Sequence, residues 1–284
     1  MSETEYKNLL RSVSTFLKNE AEIFGRFQVP AVHELMLNRS TSNPSNIKPS
    51  QNDIQSPEEK HQRKVVASNK TGHILDNRSD ATEIKSRNSE SLLKEVRTLD
   101  ELRAVCEKCE DLRTDLKDTH LVFGTGNPNA DLMLIGEAPG AQEDLQGEPF
   151  VGKAGQLLNK ILAAVSFQRK EVYIANILKH RPPNNRDPLP EERHRSLPYL
   201  YRQIDLIQPR LILCLGRISA QTLLDTNQAM KNLRGQFHSY RNGIELMVTF
   251  HPAALLRNPS WKRDTWEDVQ LLRKRYDELT TGKQ

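Results

Sequence analysis

Three polar residues stand at the ends of strongly apolar runs and have side chains that can act on a bound ligand. Glu137 follows LMLIG, Asn176 lies within VYIANIL, and His251 follows ELMVTF. A carboxylate can orient or deprotonate water, an imidazole can donate to a developing anion, and a carboxamide donates and accepts at once. Taken singly, each residue has a structural explanation, as a helix cap, a loop contact or a satisfied histidine. Their shared position at strand ends predicts one polar crevice.

The cysteine spacing indicates a second chemistry. Cys106 and Cys109 lie two residues apart in AVCEKCEDL, a spacing typical of half a metal site. Cys214 lies within LILCLG and is predicted to be a small buried hydrophobic residue. Three cysteines cannot form a disulfide framework, and the opening MSETEYKNLL does not resemble a signal peptide. We therefore expect a reducing compartment, the cytoplasm, where CxxC serves metal or redox chemistry.

Apolar runs that alternate with helical periods must position these side chains. Four of the runs predict buried strands, at residues 132–136, 172–178, 211–216 and 245–250. Strands that are apolar throughout and alternate with helices are typical of a parallel sheet covered on both faces. The predicted fold class is therefore α/β, a three-layer α/β/α sandwich with a central four-stranded parallel sheet. Its carboxyl edge is the expected ligand site.

Composition narrows the ligand class only slightly. The chain has 41 basic and 37 acidic residues, a formal charge of +4 and a pI near 8.9, which fits a polyanionic partner but is also common in other proteins. A Rossmann-type enzyme would place polar residues at the same sheet edge. However, the turn after the first strand is GEAPG and lacks the GxGxxG fingerprint of dinucleotide binding.

The N-terminal third differs in composition from the rest of the chain. Apolar residues at helical spacing predict a helical segment over 1–37. Residues 38–90 are rich in Ser, Asn, Lys, Gln and Pro and predict a disordered linker, because they bury too little apolar surface to offset ordering entropy. The main domain is predicted over 91–284, and Thr98 with Glu101 forms a capping box at its first long helix. No apolar run reaches the roughly 20 residues of a membrane span.

Three long motifs resemble those of family-4 uracil-DNA glycosylases, repair enzymes that excise uracil from DNA. They are GEAPGAQEDLQGEPFVGKAGQLL, VYIANILKHRPPNNRDPLPEE and HPAALLRNP, in the order and spacing of the family. The resemblance covers residues 96–280. It implies a hydrolase of base excision repair that flips uracil out of DNA, cuts its N-glycosidic bond and leaves an abasic site. Uracil-containing DNA is the expected partner of a monomer that binds no membrane, and the N-terminal helix is a candidate site for a protein partner.

The resemblance assigns the base pocket to five residues. Asn176 is expected to read N3 and O4 of uracil and to reject cytosine, which presents the reverse pattern of donor and acceptor. Phe150 matches the aromatic residue on which the base stacks. Glu143 is expected near C5, where it would exclude thymine. Gly136 and Ala138 complete the predicted substrate-binding set.

The resemblance also assigns catalysis and DNA contact. Glu137 is expected to position or deprotonate the attacking water, and His251 to donate to O2 of the departing uracil anion. Arg186 and Arg257 are expected to contact the DNA backbone, and Leu256 to fill the vacated base stack. A DNA- or partner-binding module that has altered or lost its catalysis is the competing hypothesis.

The family carries a [4Fe-4S] cluster on four cysteines, and two of these map onto Cys106 and Cys109. His180 and Ser196 stand where the resemblance places the other two ligands. Three outcomes stay open: loss of the cluster, a cluster with histidine and oxygen ligands, or a zinc site that also draws on His194. Loss is the preferred outcome, because iron favours thiolate and serine is a poor replacement.

Overall fold

A computed structural model describes residues 92–281 of the chain, all within one structural unit. The predicted helical segment over 1–37 and the predicted linker over 38–90 lie outside the described residues. The boundary predicted at residue 91 therefore stays a prediction. Between residues 92 and 281, none of the helices combines the length and apolar character that a membrane crossing requires.

A six-stranded mixed sheet forms the centre of the described domain. Its strands are β1 (Thr125–Gly126), β2 (Leu132–Gly136), β3 (Tyr173–Asn176), β4 (Leu211–Leu215), β5 (Phe237–Ser239) and β6 (Glu245–Thr249). They are ordered β1-β3-β2-β4-β6-β5. The four predicted strands form the parallel middle, β3-β2-β4-β6, while β1 and β5 pair antiparallel at the two edges. The sheet is therefore mixed and six-stranded, not the four-stranded parallel sheet that was predicted, because the two short edge strands carry little apolar pattern.

Helices connect the strands. They are α1 (Leu99–Glu107), α2 (Ala141–Gln146), α3 (Lys153–Ala164), α4 (Pro190–Ile207), α5 (Arg217–Leu223), α6 (Met230–Leu233), α7 (Pro252–Arg257) and α8 (Lys262–Thr280). The predicted capping box is confirmed, since the Thr98 hydroxyl accepts from the Glu101 amide and the Glu101 carboxylate accepts from the Thr98 amide. Helix α4 begins at Pro190, where fixed φ and a missing N–H favour a first helical position.

Helices pack against both faces of the sheet. Leu132 and Leu134 of β2 belong to one hydrophobic cluster, which also contains buried residues of α3 and α8. Met133 and Ile135 point the other way and join a second cluster with buried residues of α4 and α5. This alternation follows from the two-residue period of a strand. Cys214 is fully buried in the second cluster, as predicted.

A third, smaller cluster joins the first helix to the sheet domain. Leu102 and Cys106 of α1 pack with Leu112, Phe123 and Tyr199, the last of which belongs to α4. The CxxC segment therefore lies against α4. Hydrophobic contact holds it there, at roughly 1.5–3 kcal/mol for each large apolar side chain removed from water.

Candidate active site

The carboxyl ends of β2 and β3 lie side by side and carry two of the predicted residues. Gly136 pairs with Asn176 in the parallel register. Beyond the strand ends, the amide of Ile177 donates to the Gly136 carbonyl at 3.0 Å and that of Leu178 to the Glu137 carbonyl at 3.1 Å. The backbone that carries Glu137 is thus bonded to the backbone that follows Asn176. Ala138 comes next and is partly buried against the second hydrophobic cluster.

His251 lies at the carboxyl end of β6, where it is the N-cap of α7. Its Nδ1 accepts a hydrogen bond from the Ala253 amide at 3.2 Å. Burial, reinforced by the Arg257 cation, lowers the pKa of His251 to about 4, so the ring is neutral near pH 7. A neutral ring that accepts at Nδ1 carries its proton on Nε2, which makes Nε2 a donor. Gly216 lies alongside with φ +97°, and a Cβ there would lie 2.9 Å from the His251 Cβ.

Gly136 lets the side chains of Asn176 and Phe150 approach the end of β2 closely. A Cβ at position 136 would lie 2.4 Å from Asn176 Oδ1 and 2.6 Å from Phe150 Cζ, closer than real Cβ contacts. The Phe150 and His251 rings lie 5.4 Å apart between centroids, tilted by 34°. Asn176 is 2% exposed, and its Oδ1 has no hydrogen-bond partner within the described part of the chain. A buried acceptor without a partner costs roughly 1–3 kcal/mol, so this oxygen is suited to a ligand that donates to it.

The loop that carries Phe150 is held in an unusual backbone conformation. Phe150 has φ +55°, a left-handed value that a bulky residue rarely adopts. The chain passes directly over α3, since a Cβ on Gly155 would lie 1.8 Å from the Phe150 carbonyl oxygen. The Arg169 guanidinium donates to the carbonyls of Pro149 (2.6 Å) and Phe150 (3.3 Å). These contacts fix the aromatic ring against the strand ends.

Glu143 holds the same loop from the other side. Its Oε1 accepts from the amides of Val151 (3.0 Å) and Gly152 (2.9 Å). Gly152 is the N-cap of α3, so the carboxylate also complements the positive end of that helix. The structure therefore gives Glu143 a bracing contact that the sequence did not predict, and its expected contact with C5 of the base stays a prediction.

Glu137 has a carboxyl group whose charge is disfavoured. Burial raises its pKa to about 7, and the neighbouring Asp187 raises it further, against the opposing cations Arg217, Arg193 and Arg257. Such a group takes up and releases a proton near neutral pH, as a general base requires. Burial thus shifts the pKa of Glu137 upward and that of His251 downward, so the two side chains differ in the proton that each holds near neutral pH.

The structure separates the residues predicted to contact DNA. Leu255 is fully buried, whereas Leu256 is 48% exposed at the end of α7 and is followed by the exposed Arg257. Arg186 is already paired, because its guanidinium binds both oxygens of Glu192 at 2.8 Å and also reaches Asp115. Its contact with DNA stays a prediction, and its bond to Glu192 was missed.

The four residues mapped to cluster ligands do not fit a shared metal or cluster. The Cys109 Sγ lies 2.9 Å from the Tyr199 hydroxyl, and the Ser196 Oγ donates to the Ile177 carbonyl at 2.7 Å. Burial raises the pKa of the Cys106 thiol to about 12, which opposes the thiolate that iron or zinc needs.

The histidine of this set is engaged in the same way. His180 Nδ1 lies 3.0 Å from the Thr119 hydroxyl, in a buried site. His194, the alternative zinc ligand, is exposed on α4. Across residues 92–281, the His, Cys, Asp and Glu side chains form no group of three or more placed to hold a metal ion.

Lys179 is a site residue that the sequence did not reveal. It is fully buried, and its ammonium donates to the carbonyls of Asn176 (3.1 Å) and Phe123 (3.3 Å) and to Gln203 Oε1 (2.5 Å). Burial lowers the pKa of Lys179 to about 8. Lysine is almost never fully buried, so pattern alone favours a surface position.

A cavity of about 570 Å³ lies away from these residues, near the amino ends of β4 and β6. Gln208, Arg210 and Glu245 line it, together with residues of the 241–244 turn. None of the predicted site residues borders this cavity. The convergence of Asn176 and Phe150 on Gly136 therefore identifies the candidate site better than cavity volume does.

Comparison with known proteins gives one consistent result. A family model described as the uracil DNA glycosylase superfamily matches residues 123–270. The Type-4 uracil-DNA glycosylase of Archaeoglobus fulgidus is 41% identical over 172 residues, 58% of this chain and 85% of the relative. Those of Pyrobaculum aerophilum (40% over 184 residues, 62% and 92%) and Saccharolobus solfataricus (41% over 179 residues, 60% and 81%) are similar to nearly the same extent.

Proposed function

The chain belongs to the uracil-DNA glycosylase superfamily, and from this premise we propose that it hydrolyses the N-glycosidic bond of uracil in DNA. The reaction leaves an abasic site for base excision repair. The predicted domain, 91–284, carries the activity. The observation that supports this most directly is the buried Asn176 Oδ1, which has no partner among the described residues and lies with the Phe150 ring against Gly136.

Base recognition follows from the chemistry of Asn176. Uracil has a donor at N3 and an acceptor at O4, which match the Oδ1 and Nδ2 of one carboxamide. Cytosine presents the reverse, so each group would face a like group at a cost of roughly 1–3 kcal/mol. Phe150 offers an aromatic face for the flipped base, and stacking of this kind is worth roughly 1–3 kcal/mol. Gly136 and Ala138 give the base room beside β2.

Bond cleavage produces a negative charge on the departing uracil and a positive charge on the sugar. One protein residue stabilises each of these charges. The departing uracil carries a negative charge that collects on O2, where the Nε2–H of neutral His251 donates. A donor aimed at developing charge stabilises the transition state more than the ground state. The Glu137 carboxylate orients or deprotonates the attacking water, and its negative charge favours the cationic sugar. Glu143 supports the loop of Phe150.

Exposed residues beside the pocket supply the DNA contacts in this proposal. Leu256 fills the gap that the flipped base leaves, and Arg257 binds an adjacent phosphate. Arg186 contributes positive charge near the same edge, although its guanidinium is shared with Glu192. These contacts suit a base-flipping enzyme, which must hold an opened duplex.

A resident [4Fe-4S] cluster is not part of the proposed mechanism. Loss of the cluster is our preferred outcome among the three that the sequence left open, since the mapped ligands have other partners. A cytoplasmic location, a monomeric state and a protein partner for residues 1–37 stay predictions.

Release of uracil from a single-uracil oligonucleotide tests the proposal. We expect wild-type protein to produce alkali-labile abasic sites and free uracil, and Asn176→Ala to lower the single-turnover rate about a hundredfold through loss of two base contacts. Asn232→Ala, at an exposed position, is the matched control and should retain the wild-type rate.

The same experiment separates the competing hypothesis. Retained binding of uracil-containing DNA without abasic product from the wild type would contradict the enzyme and favour a binding module. Equal rates for wild type and Asn176→Ala would contradict the assignment of the pocket but not the activity.

A further inference from the structure

The backbone just after Asn176 is held by two buried side chains, one from the same segment and one from α4. The Asn176 carbonyl accepts from the Lys179 ammonium at 3.1 Å, and the Ile177 carbonyl accepts from the Ser196 hydroxyl at 2.7 Å. These are successive peptide groups at the point where β3 ends. Fixing both carbonyls restricts the backbone dihedral angles that set the direction of the Asn176 side chain.

Lys179 connects this point to two other segments. Its ammonium also donates to the Phe123 carbonyl and to Gln203 Oε1, while Gln203 Nε2 donates to the same Phe123 carbonyl at 2.9 Å. Lys179 and Gln203 are both fully buried. Hydrogen bonds in such a dry network are stronger than in water, and breaking one leaves a costly unpaired group.

Ser196 provides the second contact from α4. It is 1% exposed, and its bond spans 19 residues of sequence to reach Ile177. Its hydroxyl donates away from its own helix, although a helical serine can bond the carbonyl one turn earlier. The contact therefore ties α4 to the end of β3.

The Asn176 side chain depends on these backbone contacts because its Oδ1 has no hydrogen-bond partner of its own among the described residues. Within residues 92–281, Oδ1 accepts no hydrogen bond that could hold the carboxamide in one orientation. Its direction thus depends on the backbone and on packing. Base discrimination by one carboxamide requires that direction to be fixed before the base arrives.

We infer that Lys179 and Ser196 are positioning residues for Asn176, which together hold the end of β3 so that its carboxamide faces the flipped base. The inference rests on the proposed function. It assigns Ser196 a part in base reading, in place of the metal-binding part that resemblance would give this position. Both residues act through backbone carbonyls and not through a contact of their own with the base or the sugar.

A double-mutant cycle tests the inference. We expect Ser196→Ala to lower the maximal single-turnover rate of uracil release about five- to tenfold, the effect of about one net hydrogen bond, with the half-saturating DNA concentration within about twofold. In an Asn176→Ala background the same substitution should change the rate by less than about twofold, because Ser196 acts through Asn176. Lys179→Met should show the same pattern with a larger effect.

Controls separate positioning from general destabilisation. Ser196→Thr keeps the hydroxyl and should recover most of the rate. Thr265→Val removes another buried hydroxyl, which donates to the Trp261 carbonyl at 3.2 Å, and should leave the rate unchanged. Thermal unfolding of every variant gives its folded fraction, to which its rate is normalised.

Two results would overturn the inference. One is an equal loss of rate from Ser196→Ala with and without Asn176, and the other is a wild-type rate in Ser196→Ala itself. Failure of the proposed function is distinguishable, because the wild-type protein would then release no uracil at all.

Discussion

Two groups of polar side chains adjoin the segment 176–180 and differ in one respect. On the pocket side, Asn176 Oδ1 is buried without a partner in the described domain, packed with Phe150 against Gly136. On the cysteine side, Cys109, His180 and Ser196 each have a partner within hydrogen-bond distance. The pocket oxygen thus has no partner among the described residues, whereas these three side chains do.

From this difference we propose that the first group binds a ligand and that the second no longer does. Residue types at the right spacing exist in both places, as CxxC and as the strand-end motifs. A buried polar group needs a hydrogen-bond partner. The two places differ in whether that partner is found within the protein. If the comparison is correct, changes in the pocket abolish activity and changes at the cysteines do not.

Displacing the pocket side chains should have the largest effect. Gly136→Ala places a methyl group 2.4 Å from Asn176 Oδ1 and 2.6 Å from Phe150, so both side chains must leave the positions in which we propose that they bind the base. We expect uracil release to fall about a thousandfold, since base contact and transition-state alignment are lost together. Single-turnover kinetics measures this, and near-wild-type release would show that the base binds elsewhere.

Removing the proposed hydrogen-bond donor, His251, should have the next largest effect. His251→Gln keeps a polar side chain but cannot place the Nε2–H at the same point, and we expect about a hundredfold loss of rate. The half-saturating DNA concentration should change little, because the donor acts on charge that develops only during cleavage. A change confined to binding would assign His251 to DNA contact instead.

The pH dependence should report Glu137. Since its pKa is raised to about 7 and the carboxylate is the active form, the rate should rise with pH and level off above about pH 7. Below that point the rate should fall about tenfold per pH unit. His251 adds no inflection there, because it is neutral above about pH 4. Glu137→Gln should be slow and independent of pH over this range, and an unchanged inflection in it would implicate another group.

Truncating the exposed leucine should have a moderate effect that depends on the substrate. Leu256→Ala removes the side chain proposed to fill the vacated stack, so release from duplex DNA should fall about five- to tenfold. Single-stranded DNA has no stack to open, and its rate should hardly change. Leu271→Ala, at another exposed leucine on α8, is the matched control. An equal loss on both substrates would exclude a wedge role.

The cysteines should matter least. Cys109→Ser keeps a group that can bond the Tyr199 hydroxyl, and we expect an activity within about twofold of wild type and a free energy of unfolding within about 1 kcal/mol. Metal analysis of the wild type should find neither iron nor zinc in stoichiometric amount. A coloured protein with about four irons per chain would overturn the comparison between the two sites.

Sequence pattern predicted the parts of the fold that depend on long apolar runs. All four central strands lie where they were expected, since β2 matches the predicted 132–136 and the others differ only at their ends. The edge strands β1 and β5 have two and three residues and form because a neighbouring strand offers backbone partners. That condition is tertiary and leaves no periodic signal.

The candidate site was predictable in residue type but not in contacts. Strand-end positions singled out Glu137, Asn176 and His251, and the structure places the end of each strand at the same sheet edge. The bracing contacts of Glu143 and the burial of Lys179 had no sequence signal, because each depends on the folded path of the backbone, eight residues on for Glu143 and 56 residues back for Lys179. Packing decides which groups become hydrogen-bond partners of these side chains, and a single sequence does not reveal that packing.

Helix α7 fixes the distance between the residue proposed for catalysis and the residue proposed to enter the DNA stack. His251 caps its first turn and Leu256 lies five residues on, so the two are separated by about 7.5 Å along one rigid axis. Because Leu255 is anchored in the core between them, the helix cannot advance one of its ends without the other. Under the proposed function, His251 cannot reach O2 of the base when Leu256 cannot insert into the DNA stack. Insertion of Leu256 and placement of the His251 donor would then occur in the same movement of the helix.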